Sequence, residues 1–153
     1  MESLSARINA DFLVAMKAKD EHTLGTLRML KTALHNREIE KRSKGSEDPL
    51  TEDEAMDVIM REAKKRTESR DLYRAAGRND LADTEESDLA VLKRYLPEPA
   101  TPEEIEAAVS AALAGFPGAT AADAGKIMGA AMKPLKGRAN PADITNAIRA
   151  KLG

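Results

Sequence analysis

At 153 residues, 42% of them hydrophobic, and a net charge of -2, the chain has material for one ordinary domain or two small helical ones. It holds no cysteine, which excludes disulfides, thiolate zinc sites and thiol nucleophiles, and no apolar run near the roughly 20 residues of a membrane span. With a polar first segment where a signal-peptide core would stand, the expected compartment is the cytoplasm.

Leu4, Ile8, Phe12 and Met16 recur every four residues behind Ser3, a capping side chain, and predict an amphipathic first helix. Asp20 opens a second, with Leu24, Leu27, Leu30 and Leu34 inward, a polar end from His35 to Arg42, and the S-K-G-S-E-D-P stretch closing it. A third begins at Thr51, where Glu54 completes a capping box, and carries Ala55, Ile59, Ala63 and Tyr73 as far as Gly77. At 1.5 Å per residue it runs on the order of 38 Å, more than so small a domain covers. Asn79 or Asp80 caps a fourth, whose Leu81, Leu89, Leu92 and Leu96 face inward. Pro97, Pro99 and Pro102 then break the helical pattern and stiffen the connection, which places a domain boundary there.

Beyond it, Thr101, Pro102 and Glu104 start a fifth helix with Ile105, Val109, Ala112 and Leu113 as its stripe, and Phe116-Pro117-Gly118 turns the chain. Thr120 and Asp123 introduce a sixth, on which Gly125 and Gly129, four apart, predict a bare face that another backbone can approach. Lys133 and Lys136 crowd its last turn, where the helix dipole favours cations, and Gly137 supplies the left-handed stop. Asn140 then reads as an N-cap, Pro141 as the first residue and Asp143 as the first-turn acid of a last helix striped by Ile144, Ile148 and Leu152. Nowhere does an alternation of period two persist. The expected fold class is therefore all-α, two helical bundles: an N-terminal four-helix domain over 1–97 and a C-terminal three-helix domain over 98–153.

Few residues invite chemistry. Asp80, Asp83, Glu85, Glu86 and Asp88 read as a solvated face, because neither His22 nor His35 stands three residues after a glutamate as a carboxylate metal site in a bundle requires. Ser43-Lys44-Gly45-Ser46 reads as a connection, and no phosphate loop is present, so no catalytic residue, metal or cofactor is expected. Asn36, Arg37, Glu38, Lys41 and Arg42, with Arg61, Lys64, Lys65, Arg66 and Arg70, form two charged helix ends expected side by side. The pairs Glu38–Arg42 and Glu62–Arg66, four apart, account for part of that secondary basic surface. The elbow differs, because from Gly125 onward six bases face one acid, Asp143. Lys126, Lys133, Lys136, Arg138, Arg149 and Lys151, with the helix amides after Asn140, form the candidate phosphate-binding surface.

The elbow K-G-R-A-N-P at 136–141 and the helix after it resemble the C-terminal tail domain of the GatB/YqeY family. T-L-R-M-L at 26–30, N-R-E-I-E-K-R at 36–42, A-G-R-N-D-L at 76–81 and Y-L-P at 95–97 match further family segments in the right order, so the resemblance spans nearly the whole chain. YqeY-like members usually carry Gly-Arg-Ala-Asp at the elbow, whereas Asn140 and Pro141 look more like the tail of the GatB subunit of the tRNA-dependent amidotransferase. In GatB that tail contacts tRNA while catalysis lies elsewhere, and the family association is carbon–nitrogen ligase activity with glutamine as amido-N-donor. The resemblance thus implies a stand-alone tRNA-binding or tRNA-associated module, with tRNA and a protein of the aminoacyl-tRNA pathway as partners. Two other readings stay open: an adaptor docking a partner helix, and an accessory subunit of an amidotransferase. Phe12, Tyr73, Tyr95 and Phe116 are too dispersed for a base-stacking platform, so RNA would be recognised by shape and phosphate.

Overall fold

The computed structural model describes residues 2–152. Among them the chain is all-α with no strand: α1 (Leu4–Lys17), α2 (Glu21–Ser43), α3 (Glu52–Ala75), α4 (Asn79–Lys93), α5 (Pro102–Ala114), α6 (Ala124–Met132) and α7 (Pro141–Leu152). Short 3-10 turns at Ala121–Asp123 and Lys133–Leu135 flank α6. No helix among the described residues is long and apolar enough to cross a membrane. The chain divides into two compact units, Met1–Leu96 with α1 to α4 and Pro97–Gly153 with α5 to α7.

In the N-terminal unit the start signals act as their spacing dictates. Ser3 Oγ accepts from the Ala6 amide, an Asp20 carboxylate oxygen accepts from Thr23, and Thr51 and Glu54 exchange both bonds of a capping box. Leu4 and Ile8 are buried as expected, but Met16 is 48% exposed and Ala15 takes the inward position. A four-residue step over-rotates by about 40°, so the twelfth residue after Leu4 stands about 120° away, while the eleventh returns to within about 20°. The core joins Leu4 and Ile8 to Leu27, Leu30 and Leu34 of α2, Ala55, Val58 and Ile59 of α3, and Leu89, Val91 and Leu92 of α4. Tyr95 completes it. At 2% exposure it donates its hydroxyl to Asp11, and burial, with that carboxylate, holds the phenol above its ordinary pKa.

The fourth helix starts differently from the sequence expectation. Gly77, at φ 74°, and Arg78 return their amides to Arg74 and Tyr73, closing α3 in a Schellman motif. Arg78 therefore serves both helices, Asn79 is already the first residue of α4, and neither it nor Asp80 caps. Asp80 is held instead by the Arg78 guanidinium at 3.2 Å.

Asp80 and Asp83 of the acidic run are exposed as expected, but Glu85, Glu86 and Asp88 are engaged by arginines of α3. Glu85 and Asp88 are 15% and 17% exposed in their side chains and receive Arg66 at 3.2 and 3.6 Å, while Glu86 receives Arg70 at 2.8 Å and Arg74 at 3.6 Å. Asp88 also accepts from Thr26 at 3.0 Å. Past Ala63, α3 buries no residue, so ion pairs hold its outer half to α4.

The C-terminal unit packs Val109 and Ala112 of α5, Ile127 and Ala131 of α6, Leu135, and Ile144 and Ile148 of α7 into one core. Thr101 and Glu104 form the capping box that opens α5. The glycine face is a correction: Gly125 and Gly129 are exposed, and a Cβ built on either meets nothing within 4 Å. With no neighbour to collide with, Gly129→Ala should raise the stability of the unit by up to about 1 kcal/mol through helix propensity. The check is an upward shift in the denaturation midpoint; a fall would mean that the face is covered.

Candidate nucleic-acid interface

Pro134 lacks an amide hydrogen and its ring crowds the preceding turn, so α6 stops at Met132 and the chain tightens to a 3-10 turn over Lys133–Leu135. Leu135, 2% exposed, pins that turn to the core. Lys133 thus stands just past the α-helix, and Lys136 lies beyond the turn with extended backbone; both are exposed. Gly137, at φ 78°, supplies the left-handed residue expected there.

Arg138 is built into the unit. Its carbonyl accepts from the Ala100 amide at 2.6 Å, its Nε donates to the Glu98 carbonyl at 3.0 Å, and one Nη donates to both Glu104 oxygens at 3.0 and 2.8 Å. The Thr101 amide and then Arg138 hold the Glu104 carboxyl below its usual pKa. Sequence reasoning missed this pairing because the partners lie 34 residues apart.

Asn140 caps α7 as expected, its Oδ1 accepting from the Ala142 amide at 3.0 Å. Its carbonyl takes the Asp143 amide at 3.0 Å and the Ile144 amide at 3.4 Å, and Pro141 has no amide hydrogen. The row of free amides expected at this helix start is therefore already satisfied within the chain. Asp143 adds a negative charge in the same turn.

Of the remaining bases, Lys151 lies 3.4 Å from Glu106. Lys126, Lys133 and Arg149 are exposed, and none has a carboxylate within salt-bridge distance among the described residues. Lys126 and Lys133 are seven residues apart, two turns along one side of the α6 segment. Met128 marks the side of α6 turned to α7, since its sulfur lies 3.8 Å from Thr145 Oγ1. At 100° per residue, Gly125 and Gly129 stand about 60° and 100° round from it on the exposed side, with Lys126 at about 160°. Arg149 is one turn beyond Thr145 on α7. The result is a face with lysines at its edge and almost no side chain in between.

The second basic surface is mostly paired internally. Arg37 meets Glu40 at 3.0 Å, Lys41 meets Glu54 at 2.7 Å, Lys64 meets Glu68 at 4.0 Å and Lys65 meets Glu62 at 2.9 Å. Arg66 and Arg70 serve α4, and the expected pairs Glu38–Arg42 and Glu62–Arg66 are not the ones formed. Nor do the two stretches lie side by side. Lys41 of α2 meets Glu54 of α3 while Met29 meets Arg66, so the helices run antiparallel and the stretches occupy opposite ends of the pair. Arg42 and Arg61 remain exposed. No three histidine, aspartate or glutamate side chains gather as metal ligands among the described residues.

Comparison with known proteins returns the family described as Yqey-like protein, matching residues 5–152. A relative in Pyrenophora tritici-repentis, altered inheritance of mitochondria protein 41, mitochondrial, is 35% identical over 136 residues, 87% of this chain and 71% of that protein. An uncharacterized protein of Schizosaccharomyces pombe is 32% identical over 99 residues, 65% of this chain and 76% of that one. A protein of Eremothecium gossypii, also named altered inheritance of mitochondria protein 41, mitochondrial, is 31% identical over 91 residues, 60% and 48% of the two chains.

Proposed function

We propose that this chain, a member of the YqeY-like protein family over residues 5–152, is a non-catalytic module binding structured RNA of the tRNA class. The contact surface is the exposed side of α6 with Arg149 of α7. One observation carries the reading: among the described residues Lys126, Lys133 and Arg149 remain exposed without a carboxylate partner, and the two lysines share α6 with glycines whose missing side chains let a rigid sugar–phosphate backbone come close. The likeness of 125–152 to the tail of the GatB subunit supports the choice of tRNA over other RNA. Arg138 has a positioning part, because it holds the elbow to the start of α5. The carbon–nitrogen ligase association of the family is read as context for the RNA, with no reaction performed by this chain. A cytoplasmic setting belongs to the same proposal; "mitochondrial" stands in the names of two fungal relatives.

The two units are proposed to be independent domains, with the RNA surface in the second. A fragment of residues 97–153 should therefore unfold cooperatively on its own, with the modest stability of a domain near the lower size limit. It should retard tRNA on a native gel as the full chain does. A fragment with no thermal transition by circular dichroism would count against separate domains. A folded fragment without affinity, beside a full chain that binds, would move the RNA surface to the N-terminal unit.

A further inference from the structure

The first helix is apolar on two sides. Its inward stripe of Leu4, Ile8 and Ala15 is buried, yet Leu13, Val14 and Met16 are 56%, 65% and 48% exposed. Measured from Ile8 at 100° per residue, Met16, Leu13 and Val14 stand about 80°, 140° and 240° round, so they form one outward arc. A helix that is apolar on both faces is normally covered on both. Lys17 and Lys19 extend that arc at its C-terminal end, and both are exposed.

The C-terminal unit carries the matching shape and charge. Between α5 and α7 lies an open groove of about 510 Å³ lined by Ile105, Ala147 and Ala150 and edged by Glu106 and Asp143. Alanines keep its floor low, so that branched side chains can enter and their helix can lie close. Lys151 offsets only part of the edge charge, from 3.4 Å to Glu106.

We infer that this groove receives the outward arc of α1 from a second copy of the chain, Leu13 seating between Ile105 and Ala150 and Lys17 and Lys19 meeting Asp143 and Glu106. The surfaces are different patches, so the contact is head to tail, closing reciprocally between two copies or running on as an open chain. A contact of three apolar side chains and two ion pairs is of the small, transient kind, with Kd on the order of 0.1 mM. It does not use the α6 face and is independent of the RNA reading.

Sedimentation of the full chain over a concentration series up to about 0.5 mM tests it. The average mass should climb from the 16.5 kDa of one chain to that of two or more, less steeply at high salt. Leu13→Asp and Ala150→Glu, both at exposed positions, should each abolish the climb while keeping the helical spectrum. Mixed in equal amounts they should pair and stop at two chains, since one retains only the groove and the other only the arc. Val14→Asp replaces the first variant if it misfolds. A constant mass for the wild type, continued association of either variant alone, or no pairing in the mixture each overturns the inference. Binding of an unrelated basic amphipathic peptide to a wild type that stays monomeric would overturn it in favour of a foreign partner.

Discussion

Replacing Arg66 with methionine should cost the N-terminal unit about 2 kcal/mol or more, somewhat below the roughly 3–5 kcal/mol of breaking a fully buried pair. The guanidinium is 17% exposed and lies between Glu85 and Asp88, themselves 15% and 17% exposed, with Met29 Sδ 3.0 Å away. Methionine fills similar volume but leaves two partly buried carboxylates, three residues apart on α4, without the guanidinium between them, and His22, 3.6 Å from Asp88, reaches only one of them. Because α3 buries nothing past Ala63, the loss should be local. Hydrogen exchange should rise across 64–86 before it rises in the core around Ile59, and the urea midpoint should fall. Lys64→Met, whose side chain is 67% exposed in its pair with Glu68, should change stability by less than about 0.5 kcal/mol. Equal effects of the two variants would show that the ion pairs do not hold this part of the fold.

Acid should loosen the same segment. Arg70 holds the Glu86 carboxyl below its usual pKa in the folded state. A depressed carboxylate contributes stability fully present above its unfolded value, about 4.3, and lost as pH falls through the folded value. Protection factors in 64–86, corrected for the intrinsic exchange rate at each pH, should therefore fall on acidification below about pH 4.3, ahead of global unfolding.

The second large effect is expected from Arg138→Glu. It removes the charged-group hydrogen bond to the Glu98 carbonyl, a class worth roughly 1.5–3 kcal/mol, and the lower part of that range applies because Arg138 is about one-third exposed. It also sets a carboxylate against Glu104, which already caps α5. The C-terminal unit should lose several degrees of melting temperature. Lys133→Glu, at an exposed site a few residues earlier, should leave it nearly unchanged. A variant as stable as the wild type would free Arg138 from its positioning part and return it to the RNA surface.

What was legible in the sequence is what is encoded locally. The capping boxes at Thr51 and Thr101 need only two residues three apart, and the leucine stripe of α2 only a repeat of three and four, so both could be read directly. The all-α class followed from the same periods. Pairings across helices were not legible: Arg66 finds Glu85 and Arg138 finds Glu104 through the packing, while charge counting sees only local surplus. The glycine spacing of α6 predicts a contact face, but two glycines four apart specify a bare face and leave open whether protein or solvent lies against it. That the first amides of α7 are taken up within the chain is not legible either, because the bond from the Ala142 amide to Asn140 Oδ1 and those from the next two amides to the Asn140 carbonyl depend on backbone geometry.

If the α6 face with Arg149 binds tRNA phosphates, as we claim, the salt dependence of tRNA affinity will show it. The wild type is compared with the variant carrying Lys126→Ala, Lys133→Ala and Arg149→Ala. None of these side chains enters the core, so the two proteins should share one circular-dichroism spectrum. If each base neutralises one phosphate, the slope of log affinity against log salt should be shallower by about 0.7–0.9 per residue, roughly 2–3 in all, with affinity at low salt falling accordingly. Equal slope and affinity in the two proteins, or no tRNA binding by the wild type at low salt, would contradict the claim.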